Sequence, residues 1–467
     1  MPFITQGKTN WKYILIVVIL AAIVGGGIFV YQWWTVEKEI TVPEEVKVPE
    51  EKPTIKEPTL NLTTTKLATI PEEHFLAWGG GPFFSPDGRK VAYMYANHAK
   101  SKEFVVVNGI EGKGYDQIQG WTLLFSPDSQ KLAYVAVKVG NGFDKRFIVI
   151  NGEEGKIYDD VDQPVFSPDS KKIAYIAREG DKKFVVVNGK EGKTYDDIKG
   201  LFFSPDGQKL AYIAEEGDKE LVVVNGQEGK AYERITEHLV FSSDSQRMAY
   251  VARKEDKEII VLNGEESRTY PLIMGPLVFS PDGQKLAYIA NREKREKGWF
   301  IVVNDKESKP YDFVWNPVFS PDGQKIAYMA IKGDKSFIVV NEEERKAYEE
   351  VLQLVFSPDS QRIVYEAKKE GKSFMVVNGE EGKVYDAVAW PAFSSDSQKI
   401  AYVAVDEEMR AQFIVVDGKE IRVFGYGEGI HTNLQFSPNG EYVAYGAIIF
   451  NEEKEELELW WIVDEVK

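Results

Sequence analysis

Cysteine is absent from the 467 residues. That excludes disulfide cross-links, thiolate metal sites, iron–sulfur clusters and a cysteine nucleophile. Histidine is nearly absent too: His74, His98, His238 and His431 are the whole supply, and no two stand at metal-ligand spacing. Positive charge is outweighed, with 57 Lys and Arg against 74 Asp and Glu and a formal net charge of −17. Binding to nucleic acid draws on Lys and Arg to displace phosphate counterions, so this balance argues against a nucleic-acid partner. The chain carries no G-x-S-x-G nucleophile elbow, no H-E-x-x-H zinc motif and no Walker A loop. Gly425-Tyr426-Gly427-Glu428-Gly429 is glycine-rich, but it falls between strand-like runs and reads as a loop. These gaps lead to the expectation of a non-enzyme that uses no metal and no cofactor.

Apolar residues are plentiful, at 43% of the chain with 13% aromatic, enough for a large core. One long apolar run stands out near the start. From Tyr13 to Thr35 no residue is charged, and the run is flanked by Trp11, Tyr13, Tyr31, Trp33 and Trp34. Roughly 20 apolar residues span a bilayer core as a helix, and aromatic belts suit the headgroup zones. Lys8 and Lys12 precede the run, whereas Glu37 and Glu39 follow it, which places the N-terminus on the cytoplasmic side. A cleaved signal peptide is the competing reading, but its apolar region is shorter, about 7–15 residues, and ends at small residues rather than Gln32-Trp33-Trp34. After it, Pro43, Pro49, Pro53 and Pro58 punctuate a Glu- and Lys-rich stretch. Such composition cannot bury a core and favours an extended linker reaching at most about 70 Å. The expected organisation is a short cytoplasmic segment over 1–12, a single transmembrane helix over 13–35, a linker over 36–60 and one repeat domain over 61–467. The last of these would lie outside the cytoplasm at the cell membrane.

The remainder is one unit written ten times. Phe-Ser-Pro-Asp begins at Phe84, Phe125, Phe166, Phe203, Phe279, Phe319 and Phe356, with Phe-Ser-Ser-Asp at Phe241 and Phe393 and Phe-Ser-Pro-Asn at Phe436. The period is 37 to 43 residues, and each Phe is followed nine residues later by a Tyr, from Tyr93 to Tyr445. A Val-Val-Val-Asn-Gly block or a relative ends at Asn108, Asn151, Asn188, Asn225, Asn263, Asn304, Asn341, Asn378 and Asp417, with an aromatic residue seven positions on. In the fourth copy the pattern predicts strands over 201–203, 209–214, 220–225 and 230–235, joined by the turns Ser204-Pro205-Asp206-Gly207 and Gly226 to Gly229. Four short antiparallel strands every forty residues or so make one blade of a β-propeller, an all-β fold. The tenth copy supplies three strands, and the orphan run Thr63–Ile70 before the first copy supplies a fourth. Pairing the two closes a single ring of ten, a high count against the usual four to eight blades.

With F-S-P-D-G, K-L-A-Y and V-V-V-N-G in view, the copies resemble the WD-like repeats of TolB-type propellers, including those found in tricorn-like and prolyl-oligopeptidase-like peptidases. The resemblance spans about residues 63–467. For the TolB-type proteins it implies protein binding outside the cytoplasm; in the peptidases it implies a propeller that gates a separate catalytic domain. The chain departs from the TolB pattern in its ten copies and in its N-terminal anchor and linker.

Residues repeated in every copy serve the shared unit, so function is expected where copies differ. The segments entering each first strand differ most, with Trp78, Trp121, His238, Met274, Trp315, Trp390, His431 and Asn433. These are expected on one ring face beside the central opening, together with the turns holding Asn141-Gly142-Phe143 and Asn291 to Trp299. Trp121, His238, Trp315, Trp390 and His431 are the candidate partner-binding residues. The competing role for each Trp is to plug a gap between blades. The repeated Asp of the Ser-Pro-Asp turn is expected to accept backbone N–H bonds rather than hold calcium, which needs six to eight gathered oxygens. Asp159-Asp160-Val161-Asp162, the densest acidic cluster, reads as a solvated loop. Asn61-Leu62-Thr63 is a glycosylation sequon in a host that glycosylates. The expected role is a membrane-anchored scaffold for a protein or peptide partner. A lectin-like glycan binder is the alternative, and an enzyme with carboxylates at the central opening comes third.

Overall fold

A computed structural model describes residues 63–466 apart from 72–74, 77–80, 98, 141, 163, 237, 294–296, 426–428 and 452–455. The expected cytoplasmic segment, transmembrane helix and linker lie outside the described residues. Among the described residues every element is a strand, and no helix is long and apolar enough to cross a membrane.

Ten antiparallel sheets follow one another along the chain, each ordered first to fourth strand. Blade 4 is typical, with strands Asp197–Phe203, Leu210–Glu216, Lys219–Val224 and Gln227–Tyr232. The second and third strands are apolar on both faces because each sheet is covered by a neighbour on either side. First strands of successive blades pack against one another, which puts them around the axis where the blades converge.

Two boundaries differ from the pattern-based reading. The fourth strand of blade 4 ends at Tyr232, and Arg234–Ile235 already opens the first strand of blade 5. The first strand of blade 4 begins at Asp197 rather than at residue 201. A bulge between Lys199 and Phe202, with Gly200 at φ 61°, interrupts its alternation, so only its lower half looks strand-like in sequence.

Blade 10 contributes three of its own strands, and Thr65–Ile70 completes it by pairing antiparallel with Glu456–Glu465. The orphan run therefore closes the ring. Apolar clusters fill every junction from blades 1 and 2 onward, and the tenth cluster joins Ala68, Ile70 and Leu459 of blade 10 to Val91, Tyr93 and Phe104 of blade 1.

Polar contacts repeat from junction to junction. In the Ser-Pro-Asp turn the Ser204 hydroxyl donates to Asp206 Oδ1 at 2.5 Å, the Gln208 N–H donates to the same oxygen at 2.9 Å, and the Lys209 N–H donates to Ser204 Oγ at 2.9 Å. The repeated Asp is thus a turn-builder. The turn then grips the next blade: Asp206 N–H donates to Ser245 Oγ at 3.0 Å, and the Lys209 ammonium donates to the Ser245 carbonyl at 2.7 Å. Where the following turn has Gly instead of Ser at that place, the Phe-Ser-Ser-Asp copies compensate, with the Ser243 and Ser395 hydroxyls donating to the carbonyls of Pro281 and Pro438 at 2.5 Å.

The outer rim repeats a second grip. Lys193 and Tyr195 both reach Glu228 of the next blade, at 2.6 and 2.8 Å, and the Tyr195 ring meets the Tyr212 ring edge-on at 6.2 Å. The same grip recurs at Tyr158 with Glu191, Tyr348 with Glu381 and Tyr385 with Glu420. The acidic cluster joins in rather than standing free in solvent. Asp159 pairs with Lys145 and accepts the Gly180 N–H at 2.7 Å, while Asp160 pairs with Arg146 and lies 3.9 Å from Arg178.

Deleting residues 63–70 removes the fourth strand of blade 10 and the Ala68 and Ile70 part of its junction with blade 1. A chain starting at residue 71 is expected to melt roughly 5–10 °C below one starting at residue 63 in a thermal circular-dichroism scan. Equal melting would show that the ring does not depend on this strand.

Candidate functional site

Trp121, Met274, Trp315 and Trp390 lie within the first strands, and His238, His431 and Asn433 in the break between the two short segments of theirs, because those strands begin earlier than the sequence pattern suggests. Each described first strand carries extra residues at mid-length, where it borders the central opening. Two residues separate Trp315 from Val318, three separate Met274 from Val278, and four separate Gln119 from Leu124, across from a gap of one on the partner strand. A left-handed residue makes the bend in several copies: Gly275, Asn316, Gln353 and Trp390 have φ between 50° and 74°. In blade 2 the bend is pinned by Thr122, whose hydroxyl donates to the Gln119 carbonyl at 2.6 Å and accepts the Val135 N–H at 2.9 Å.

The five candidate residues are distributed over blades 2, 5, 7, 9 and 10. Trp121 is 56% exposed, the most open Trp described. His238 and His431 are exposed as well. His431 nevertheless stands among enough protein for desolvation to lower its pKa below the usual imidazole value. Trp315 and Trp390 are half-buried and serve the packing role: Trp315 stands 5.8 Å from the Phe313 ring and against the cores flanking blade 7, and Trp390 packs into the core between blades 9 and 10. Trp78 lies outside the described residues.

Blade 2 adds two exposed apolar side chains in its second-to-third turn, Val139 at 51% and Phe143 at 87%. That turn shares a ring face with the connections between blades, as expected. With Trp121 on the first strand, blade 2 exposes three large apolar side chains on its first strand and second-to-third turn.

A second departure from the repeat was not singled out by the sequence reading. The residue after the repeated Tyr is Met94, Val135, Ile176, Ile213, Val251, Ile289, Met329 or Val403 in most copies and Gly446 in the tenth, but Glu366 in blade 8. Glu366 is 4% exposed. Its carboxylate accepts the Ser373 hydroxyl at 3.0 Å and the Gln353 side-chain amide at 2.9 Å, and Gln353 Oε1 in turn accepts the Trp390 N–H at 2.8 Å. A chain of polar contacts thus runs from the second strand of blade 8 to the bend of blade 9. Burial raises the Glu366 pKa, a push that the Ser373 hydrogen bond opposes without cancelling. Aligning the ten copies on their tyrosines is the signal that finds this residue. Among the described residues no group of His, Asp and Glu is placed to hold a metal ion.

The chain is a ten-bladed β-propeller. No protein-family profile matches it, and no curated protein does. Among solved structures it is similar to TolB from Acinetobacter baumannii, at 14% identity and a TM-score of 0.26 over 55% of this chain and 82% of that one. The β-propeller domain of the Trilobed protease from Pyrococcus furiosus gives 17% identity and a TM-score of 0.29 over 55% and 94%. Oligogalacturonate lyase from Vibrio parahaemolyticus gives 13% and 0.32 over 65% and 98%. The propeller assignment rests on the ten sheets and their closure, not on these likenesses.

The Glu366 pKa shift fixes a sign. Below the ordinary Glu value of about 4.3, folded and unfolded chains are both protonated. As pH rises, the unfolded chain ionises first, so the contribution of Glu366 to stability is lost on passing upward through its raised folded pKa. Glu366→Gln is therefore expected to melt close to the wild type at pH 4 and roughly 1–3 °C higher at pH 7, read by scanning calorimetry. A wild-type advantage that grows toward pH 7 would contradict the burial account.

Proposed function

We propose that the ring is a non-catalytic scaffold that binds a protein or peptide partner at the central opening, anchored to the cell membrane by residues 13–35 and held outside the cytoplasm. The observation that carries the reading is the contrast between two sets of residues. Those gripping neighbouring blades repeat from copy to copy, whereas those bordering the opening change in type and number. Within the variable set, Trp121, Val139 and Phe143 expose apolar and aromatic surface on one blade. Aromatic anchors with polar surroundings are what protein interfaces use for much of their binding energy. The anchor and linker supply the reason for a surface turned to partners outside the membrane. The reading assigns His238 and His431 to the polar rim of the opening and gives Trp315 and Trp390 a supporting part.

Proximity labelling or pull-down with the wild-type ring, compared with the Trp121→Ala/Phe143→Ala and Trp390→Ala variants, tests this. The double variant is expected to melt within about 1 °C of the wild type while losing most of the captured partner, since exposed side chains contribute little to folding. Trp390→Ala is expected to melt several degrees lower, as its ring fills the core between two blades. Equal capture by the double variant would remove blade 2 from the recognition surface. Saturable binding on a glycan array with no protein captured would move the site to sugar recognition.

A further inference from the structure

Three junctions share a device that the junction between blades 7 and 8 lacks. The third strands of blades 1, 4 and 5 carry glutamate as their second residue: Glu103, Glu220 and Glu258. Each carboxylate crosses to the next blade and accepts a backbone N–H, from Ile118, Ile235 and Ile273, at 2.5 Å. Those isoleucines stand opposite Ala136, Ala252 and Ala290 in the strand register. Alternate residues of an antiparallel ladder turn their N–H groups away from the partner strand, and this position is one of them.

Val351 holds the same register position in blade 8, opposite Ala367. The matching third-strand residue of blade 7 is Ser336, bridged to Tyr348 as Glu220 is paired with Tyr232. A serine side chain is too short to cross the junction. A cavity of about 450 Å³ opens there, with Trp315, Ile331, Ser336, Glu350 and Lys368 in its lining. Ser336 is 3% exposed, and its hydroxyl has no hydrogen-bond partner among the described residues. An unpaired buried hydroxyl is destabilising, and a ligand that accepts from it removes that cost. The next junction has the same shortening at Ser373, but there Glu366 takes the hydroxyl.

We propose that the cavity between blades 7 and 8 binds a carboxylate supplied from outside the chain. The acidic group takes the place that Glu103, Glu220 and Glu258 occupy in the sister junctions, accepting from the Ser336 hydroxyl and the Val351 N–H. Of the three acids in the lining, Glu350 pairs with Lys368 at 2.6 Å and Glu349 accepts the N–H groups of Glu370 and Gly371 at 2.9 and 3.4 Å, while Asp334 stands in the exposed second-to-third turn at the edge. Lys335 adds a cation to the lining beside the paired Lys368. This inference stands whether or not blade 2 recognises a protein.

The source is a small organic acid or an acidic peptide side chain, and calorimetric titration of the full chain separates them. The probes are succinate, the capped peptide acetyl-Gly-Glu-Gly-amide and its Gln counterpart, at matched ionic strength. The wild type is expected to bind an acidic probe and not the Gln peptide. Tighter binding of the Glu peptide identifies a peptide source, and tighter binding of succinate a small acid. Ser336→Ala is expected to weaken binding about tenfold, the loss of one hydrogen bond. Ser336→Glu, which restores the arm of the sister junctions, is expected to abolish binding and to raise the melting temperature without any probe. No heat from either acidic probe, equal binding of the Gln peptide, or unchanged binding in Ser336→Ala would each overturn the proposal. If Ser336→Glu does not fold, the alanine variant decides.

Discussion

Neighbouring blades of this ring complete one another's bonds. Among the described residues the Lys209 ammonium and the Asp206 N–H find acceptors in the turn of blade 5, and the Tyr195 hydroxyl finds its carboxylate in blade 4. The apolar faces of each sheet are likewise covered by its two neighbours. A solitary copy would expose two apolar faces, so stability belongs to junctions and grows with their number. The repeated residues are the parts of those junctions. That explains why Lys, Ser, Asp, Tyr and Glu recur beside the expected Val and Ile: they are polar groups whose partners sit one period away in sequence.

The division of labour between repeated and unrepeated residues follows from the same constraint. A junction needs its members in register, which fixes their spacing. The middle of the innermost strand makes few such demands, because one side of it faces the opening, and extra residues there bend the strand without breaking a grip. The polar chain from Ser373 through Glu366 and Gln353 to Trp390 is an exception that reaches into a junction. It places a carboxylate where eight sister copies have Met, Val or Ile, at a cost in desolvation. The return is a defined position for the bend of blade 9, whose left-handed Trp390 is held by the Gln353 side chain.

The sequence carried the fold to the level of blade count and closure, because period, turn chemistry and the unpaired run before Phe84 are all local signals. It carried strand limits less well. The fourth strand of blade 4 was displaced by three residues, since Tyr232 ends one blade and Ile235 begins the next with no turn residue between them to mark the change. The first strands were half hidden by their bends, so Trp121 and Trp390 seemed to lie in connections. The Trp residues split by environment: Trp315 and Trp390 pack between blades, and Trp121 does not. Nothing in residue type separates these cases, because burial is decided by how far each bend swings out. Glu366 and Ser336 were legible in principle, but only by comparing copies at one position rather than searching for motifs.

The joint between blades 10 and 1 is built differently from the other nine. Blade 10 has Tyr442 where its sisters have the gripping Lys or Arg, and the Trp461 ring fills the space beside Gly88, which has no room for a Cβ. A strand from the far end of the sequence completes the sheet there. Nine joints that share their turn and one distinct seam mean that the circumference is not encoded in any single joint. A copy gained or lost in the middle by unequal recombination would meet compatible neighbours on both sides, and the seam would still find itself. Descendants of such a gene can therefore change their aperture in steps of one blade while the fastening stays the same.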